Sequence, residues 1–107
     1  MAAKKSNMAR LKEHAEIFKA LAHPSRLCII EALANGKHCV NELTELVGSD
    51  MSTVSRHLAQ LRNVGLIRDD KQGLQVFYEL RCHCVLRFLD CVQSVTTERL
   101  ETSCSCS

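Results

Sequence analysis

Two thiols stand within three residues in the run Leu80-Arg81-Cys82-His83-Cys84-Val85, and the chain carries seven cysteines in 107 residues. Thiolates are soft donors that prefer thiophilic metals and metalloids to hard cations, and they also oxidise. Dense cysteine usage builds disulfide scaffolds mainly in secreted chains. Here Met1-Ala2-Ala3-Lys4-Lys5-Ser6 is basic but leads into no apolar stretch of the kind a signal peptide needs. The expectation is a cytoplasmic protein whose close-set thiols take a soft ion or register a redox change.

The elements that position these thiols follow from periodicity. Met8, Leu11, Ala15, Phe18 and Leu21 recur three or four apart, which predicts an amphipathic helix from Asn7 to about Leu21. His23-Pro24 breaks it, and proline suits the first turn of a second helix running through Leu27, Ile30 and Leu33 to about Ala34, with Gly36 beyond its end. A short third helix holds Val40, Leu43, Leu46 and Val47. Gly48-Ser49-Asp50 is a turn whose Ser49 or Asp50 caps a fourth helix, Met51 to about Val64, which buries Val54, Leu58 and Leu61. Two β-type runs around Asp69-Asp70-Lys71-Gln72-Gly73 predict a hairpin. A fifth helix, about Cys84 to Leu100, places Val85, Phe88, Leu89, Val92 and Val95 on one side.

Residues 1–101 therefore read as one domain, and 102–107 as a flexible tail with Cys104 and Cys106. A domain of this size is short of buried area, and the stripe on the fifth helix reads as half of a dimer interface. No apolar run approaches the roughly 18–20 residues of a membrane span.

Net charge is +2, too little by itself to argue for nucleic acid, but its distribution is uneven. Residues 1–26 hold six Lys/Arg against two acids, residues 27–50 one against four, and residues 51–81 five against three. The basic parts suit phosphates. On the fourth helix, Ser52, Thr53, Ser55, Arg56 and Gln60 lie off the apolar face, and small hydroxyls with an arginine can approach base edges in a major groove. Lys71 and Gln72 at the hairpin tip can reach neighbouring phosphates or the minor groove.

Four runs carry a resemblance: Phe18-Lys19-Ala20-Leu21-Ala22-His23-Pro24-Ser25-Arg26-Leu27; Ser52-Thr53-Val54-Ser55-Arg56-His57-Leu58-Ala59-Gln60-Leu61; Val64-Gly65-Leu66-Ile67; and Gly73-Leu74-Gln75-Val76-Phe77-Tyr78-Glu79-Leu80. Together they resemble the ArsR/SmtB metalloregulators over residues from about 10 to 100. The resemblance implies a mainly α winged helix-turn-helix with five helices and a β-hairpin wing. It also implies a homodimer through the terminal helices that represses by binding an imperfect palindrome of operator DNA and releases it on binding an inducer. It adds His57 to the DNA-contacting set of Ser52, Thr53, Ser55, Arg56, Lys71 and Gln72.

The resemblance also points to two sensing positions. At the start of the third helix the family pattern has two thiols, whereas Cys39-Val40-Asn41-Glu42-Leu43 keeps one. On the fifth helix the first ligand pair falls on Cys82 and Cys84. The second falls on Val95 and Glu98, and valine cannot ligate. Thiols in place of harder ligands point to As(III) or Sb(III), with Cd(II) or Pb(II) as the alternative. Three sulfurs serve As(III) well, and Cys91 is the nearest candidate for the third. Residues seven apart on a helix lie roughly 10.5 Å apart along its axis. Cys84 and Cys91 of one chain thus meet at one ion only if the helix starts late or is irregular. Across a dimer the geometry is easier, so a site within or between subunits stays open, with Cys104 and Cys106 as auxiliaries.

Cys28 reads as a core residue. A metal-free redox or persulfide sensor is the alternative for the same thiols. No Cys-x-x-Cys, glycine-rich phosphate loop or pocket constellation supports an enzyme.

Overall fold

The computed structural model describes residues 2–101, with side chains described for 7–99. The predicted tail and its Cys104 and Cys106 lie outside the described residues. Five helices and three strands follow in the order α1 (Ala2–Leu21), α2 (Pro24–Leu33), β1 (His38–Cys39), α3 (Val40–Val47), α4 (Met51–Asn63), β2 (Ile67–Gln72), β3 (Gln75–Leu80) and α5 (Cys84–Glu101). The architecture is a winged helix-turn-helix. Each helix expected from periodicity is present. Two features were not foreseen: α1 begins at Ala2 rather than Asn7, and β1 extends the hairpin to a sheet ordered β1-β3-β2.

Local chemistry sets the boundaries. His23 caps α2 by accepting the Ser25 backbone N–H at its Nδ1, 3.1 Å away, and Pro24 occupies the first turn. At the α3–α4 turn, Gly48 takes φ 80°, and its N–H donates to the Thr44 carbonyl at 2.9 Å. This left-handed conformation is one that residues with a Cβ adopt only at a cost. Asp50 is the N-cap of α4 in an extended conformation. In the wing, Ile67 pairs with Leu80 and Gln72 with Gln75, antiparallel throughout. The two-residue β1 pairs His38 with Tyr78 and Cys39 with Phe77, tying the start of α3 to the wing.

The core joins Ile29, Ile30 and Leu33 of α2 with Leu43 of α3 and Val54, Leu58 and Leu61 of α4. Ala20 and Leu21 close it from the end of α1, Ile67 and Leu80 from the base of the wing, and Val85 from the start of α5. The rest of α1 and α5 extends from this centre. The radius of gyration is 16.7 Å, against roughly 13 Å for a compact domain of about 100 residues. The stripe on α5 accordingly divides. Val85 is buried and Leu89 packs against the core. Phe88, Val92 and Val95 remain 41%, 42% and 57% exposed. Met8, Leu11 and Phe18 of α1 are similarly uncovered, and Phe18 meets Phe88 edge-on at 5.3 Å between ring centres.

Candidate functional site

The exposed side of α4 begins with a small polar knot. The Ser52 hydroxyl donates to Asp50 at 2.6 Å, and the Thr53 hydroxyl donates to the other Asp50 oxygen. These two bonds hold the Asp50 carboxyl below its ordinary range. Ser52, Ser55, Arg56 and Gln60 are exposed, and Thr53 is half-buried. On the wing, Lys71 and Gln72 are exposed beside the tip, and Leu74 is fully exposed. Gln72 donates to Asp70 at 3.1 Å.

Basic side chains of the head and of the wing itself neutralise the acids that β2 and β3 carry. Lys37 lies 2.6 Å from Asp70, Arg68 2.6 Å from Glu79 and Arg62 3.3 Å from Asp69. Among the described residues Arg56 and Lys71 have no such partner, so their charge is available to phosphates or bases.

His57 departs from the expected DNA-contacting set. It is 8% exposed and faces the interior. Arg26 Nε donates to His57 Nδ1 at 3.1 Å, and Arg26 Nη1 donates to the Ala20 carbonyl at 3.2 Å. The His57 ring also packs on that of His23, 4.5 Å between centres. Burial first, then the charges of His23, Arg26 and Arg56, push its pKa below the ordinary imidazole value. His57 thus fixes α4 against α2. The signal was in the spacing: position 57 lies three after Val54 and four before Leu61, on the buried side.

Cys82 and Cys84 lie at the wing–α5 junction, both exposed. The Cys84 thiol donates to Cys82, and backbone N–H groups of Cys84 and Val85 add to it, which lowers the Cys82 pKa. The same pairing raises that of Cys84. The first proton of the pair therefore leaves readily and the second reluctantly. Both thiols border a recess of about 280 Å³ whose other walls are Ile17, Phe18, Leu21, Leu66, Val85 and Phe88.

Cys91 is exposed on α5 but is not brought to this pair. The helix starts at Cys84, so seven residues of regular helix intervene, roughly 10.5 Å of axial rise. Among the described residues no three Cys, His, Asp or Glu side chains gather to hold a metal. A site built from Cys82, Cys84 and Cys91 of one chain is therefore not assembled in this structure. Cys39 is buried at the N-cap of α3, where its N–H donates to Glu42 at 2.9 Å. Cys28 is half-buried, its thiol 3.9 Å from the Leu46 carbonyl.

A short path joins the thiols to α4. The Arg81 N–H, one residue before Cys82, donates to the Leu66 carbonyl at 2.9 Å, and the Leu66 N–H donates to the Leu61 carbonyl at 3.1 Å.

A helix pair with an exposed polar second helix, flanked by a β-hairpin wing that carries the unpaired Lys71, is the architecture of a winged helix-turn-helix DNA-binding domain. The profile described as bacterial regulatory protein, arsR family, matches residues 23–69. The solved homodimeric winged helix-turn-helix DNA-binding domain of Mb0332 from Mycobacterium bovis superposes with a TM-score of 0.78 at 33% identity, covering 89% of this chain and 88% of that one. The chain belongs to the ArsR family. It is 42% identical over 76 residues to the regulator NmtR of Mycobacterium tuberculosis, covering 71% of this chain and 63% of NmtR. It is also 42% identical over 69 residues to the arsenical resistance operon repressor of Escherichia coli, covering 64% of this chain and 59% of that protein. The chain thus spans about 60% of the length of these two curated relatives. Among the described residues no helix is long and apolar enough to cross a membrane.

Proposed function

We propose that this chain is a homodimeric repressor that releases operator DNA when As(III) or Sb(III) binds the thiolates of Cys82 and Cys84. The hydrogen-bonded, exposed thiol pair at the wing–α5 junction carries the reading. It presents two soft donors, one of them acidified, one residue from the backbone bonds that lead to α4. A third sulfur for inorganic As(III) comes from Cys91 of the partner subunit, since the same chain's Cys91 is out of reach. The exposed apolar side chains of α1 and α5 support the dimer. The E. coli relative, named as an arsenical resistance operon repressor, supports the choice of ion.

In the dimer, two α4 helices about one DNA turn apart, roughly 34–36 Å, enter successive major grooves. Ser52, Thr53, Ser55 and Arg56 face base edges and phosphates, and Lys71 and Gln72 of the wing reach the flanking backbone. Affinity falls steeply with salt because the contacts are largely ionic. Ligand binding clamps the junction, and Leu66 transmits the displacement to Leu61 on α4, so the two reading helices lose their match to the grooves.

The test is operator binding by the reduced protein, titrated with arsenite, Cd(II) and Zn(II) and repeated on Cys82→Ser. Release by arsenite at one equivalent per subunit, lost in the variant, supports the reading. Release by Cd(II) alone reassigns the site to a cadmium or lead sensor. The acidified, accessible Cys82 also favours a second reading, oxidation of the pair's thiolate. Release on mild oxidation with no response to any ion selects that one.

A further inference from the structure

The first turn of α4 uses its cap in an uncommon way. An N-cap aspartate ordinarily accepts a backbone N–H of the turn that follows it. Asp50 stands at that position, and its side chain makes no such bond. Its two oxygens go instead to the hydroxyls of Ser52, 2.6 Å away, and Thr53. Those bonds hold the carboxyl below its ordinary range, so at neutral pH it is ionised and has no proton to give. The hydrogen in each bond therefore belongs to the hydroxyl.

A hydroxyl has one proton and two lone pairs. With both protons committed to Asp50, Ser52 and Thr53 offer an outside group only lone pairs. Phosphate oxygens, guanine O6 and N7 and thymine O4 are acceptors too and find no partner there. The carboxylate of Asp50, itself exposed, repels phosphate further. The major-groove donors that fit are the exocyclic amines, N4 of cytosine and N6 of adenine. Arg56 has the opposite character, since it is exposed and can only donate. It follows three to four residues along α4, roughly 4.5–6 Å of axial rise, or between one and two base-pair steps of roughly 3.4 Å.

We propose that Asp50 is a positioning residue for sequence recognition: by fixing the Ser52 and Thr53 hydroxyls as acceptors, it makes the first turn of α4 read amino bases (adenine or cytosine) against keto bases (guanine or thymine). The proposal rests on the reading of α4 as the helix that enters the major groove, and it is independent of the inducer. Every base pair joins one amino base to one keto base. The discrimination is thus between the two strand orientations of a pair and not between A·T and G·C. A half-site then has two parts, an amino base at the first turn and, one or two steps away, a guanine for the Arg56 fork.

The experiment selects binders from a random-sequence duplex library with the reduced protein, wild type and Asp50→Asn, and compares base frequencies position by position. Asparagine keeps a capping side chain, but its amide donates, so at least one hydroxyl is freed to donate outward. Wild type is expected to favour adenine and cytosine together over guanine and thymine by about fivefold at one or two positions of each half-site. In Asp50→Asn that preference should fall to near parity while the guanine preference stays. An unchanged pattern in Asp50→Asn overturns the proposal and leaves Asp50 a cap alone, even where affinity falls for every sequence. Guanine selection by wild type with no amino-against-keto position also overturns it and leaves operator binding standing. No selected sequence at all overturns both. A second variant keeps the test open if Asp50→Asn fails to fold. Ser52→Ala with Thr53→Val removes both acceptors and leaves Asp50 free to cap the backbone. It should flatten the same positions, and a retained amino preference overturns the proposal.

Discussion

The head of this molecule and its flanks are built to different specifications. In the head, α2, α3 and α4 close around side chains that are almost wholly buried, among them Ile29, Ile30, Leu43 and Leu61. The wing acids Asp70 and Glu79 beside it are paired, His23 caps α2, and its buried histidine has a donor. In the flanks, Phe88, Val92 and Val95 of α5 stand open beside Met8, Leu11 and Phe18 of α1. Two thiols there bond mainly to each other. The head is complete within one chain. The flanks are complete only with a second copy and, in our reading, an inducer. Regulation then becomes intelligible as a change in how two finished heads are spaced, not as a remodelling of either.

Stability should separate the two regions most sharply. Leu61→Ala removes a fully buried side chain at the centre of the head. It is expected to lower unfolding free energy by about 2–5 kcal/mol, measured by urea titration. Val92→Ala on α5 should change subunit stability far less while weakening self-association in sedimentation. If Val92→Ala destabilised the fold as much as Leu61→Ala, the division between head and flank would fail.

The response to inducer should separate them next. Cys82→Ser or Cys84→Ser leaves the head untouched, so operator affinity without inducer stays near wild type. Release by the arsenical is lost, a coupling expected to be worth about 1–3 kcal/mol, or 5–150-fold in affinity. Fluorescence anisotropy on labelled operator reads both numbers from one titration. A serine variant that binds DNA poorly without inducer would place the thiols in the head's own scaffold.

A smaller effect belongs to the turn between the helices. Gly48 sits at φ 80° with nothing near its missing Cβ, so only backbone strain opposes a side chain there. Gly48→Ala is expected to destabilise by about 1–2 kcal/mol through the left-handed conformation alone. Thermal melting checks it, and an unchanged melting temperature would mean the turn relaxes to another conformation.

The parts of this division that were legible in the sequence were those written in local periodicity. Val54, Leu58 and Leu61 recur at helical spacing and are buried, and Gly48 and Pro24 punctuate helices as their backbone preferences require. What escaped depended on partners distant in the chain. β1 is two residues long and exists because Phe77 and Tyr78 pair with it. His57 carries a polar side chain on a buried face, and only the donor at Arg26, thirty-one residues earlier, makes that tolerable. The thiol pair was legible as chemistry, since two cysteines in three residues have little packing logic. The recess beside it was not, because its walls come from α1, from Leu66 and from α5.

The finest test lies within the head, at the bond between Arg26 and His57. Neutral His57 accepts from Arg26; protonated, it loses that acceptor and faces Arg26, Arg56 and His23. Burial and these neighbours depress its folded-state pKa below the ordinary 6.5. The unfolded chain therefore binds the proton more readily, and stability rises with pH through this interval. The contribution is fully present above about 6.5, the unfolded value, and is lost as pH falls from there toward the depressed folded value. Unfolding free energy measured from about pH 7.5 down to about pH 5, a window that brackets the ordinary imidazole value, should decline in wild type. The decline should be shallower in His57→Gln, which can accept from Arg26 and does not titrate. An equal slope in the two proteins would assign the acid sensitivity to groups outside this contact. A shallower slope in His57→Gln, with operator affinity at pH 7.5 preserved, would establish His57 as the residue that seats the reading helix on α2 and not as one that touches DNA.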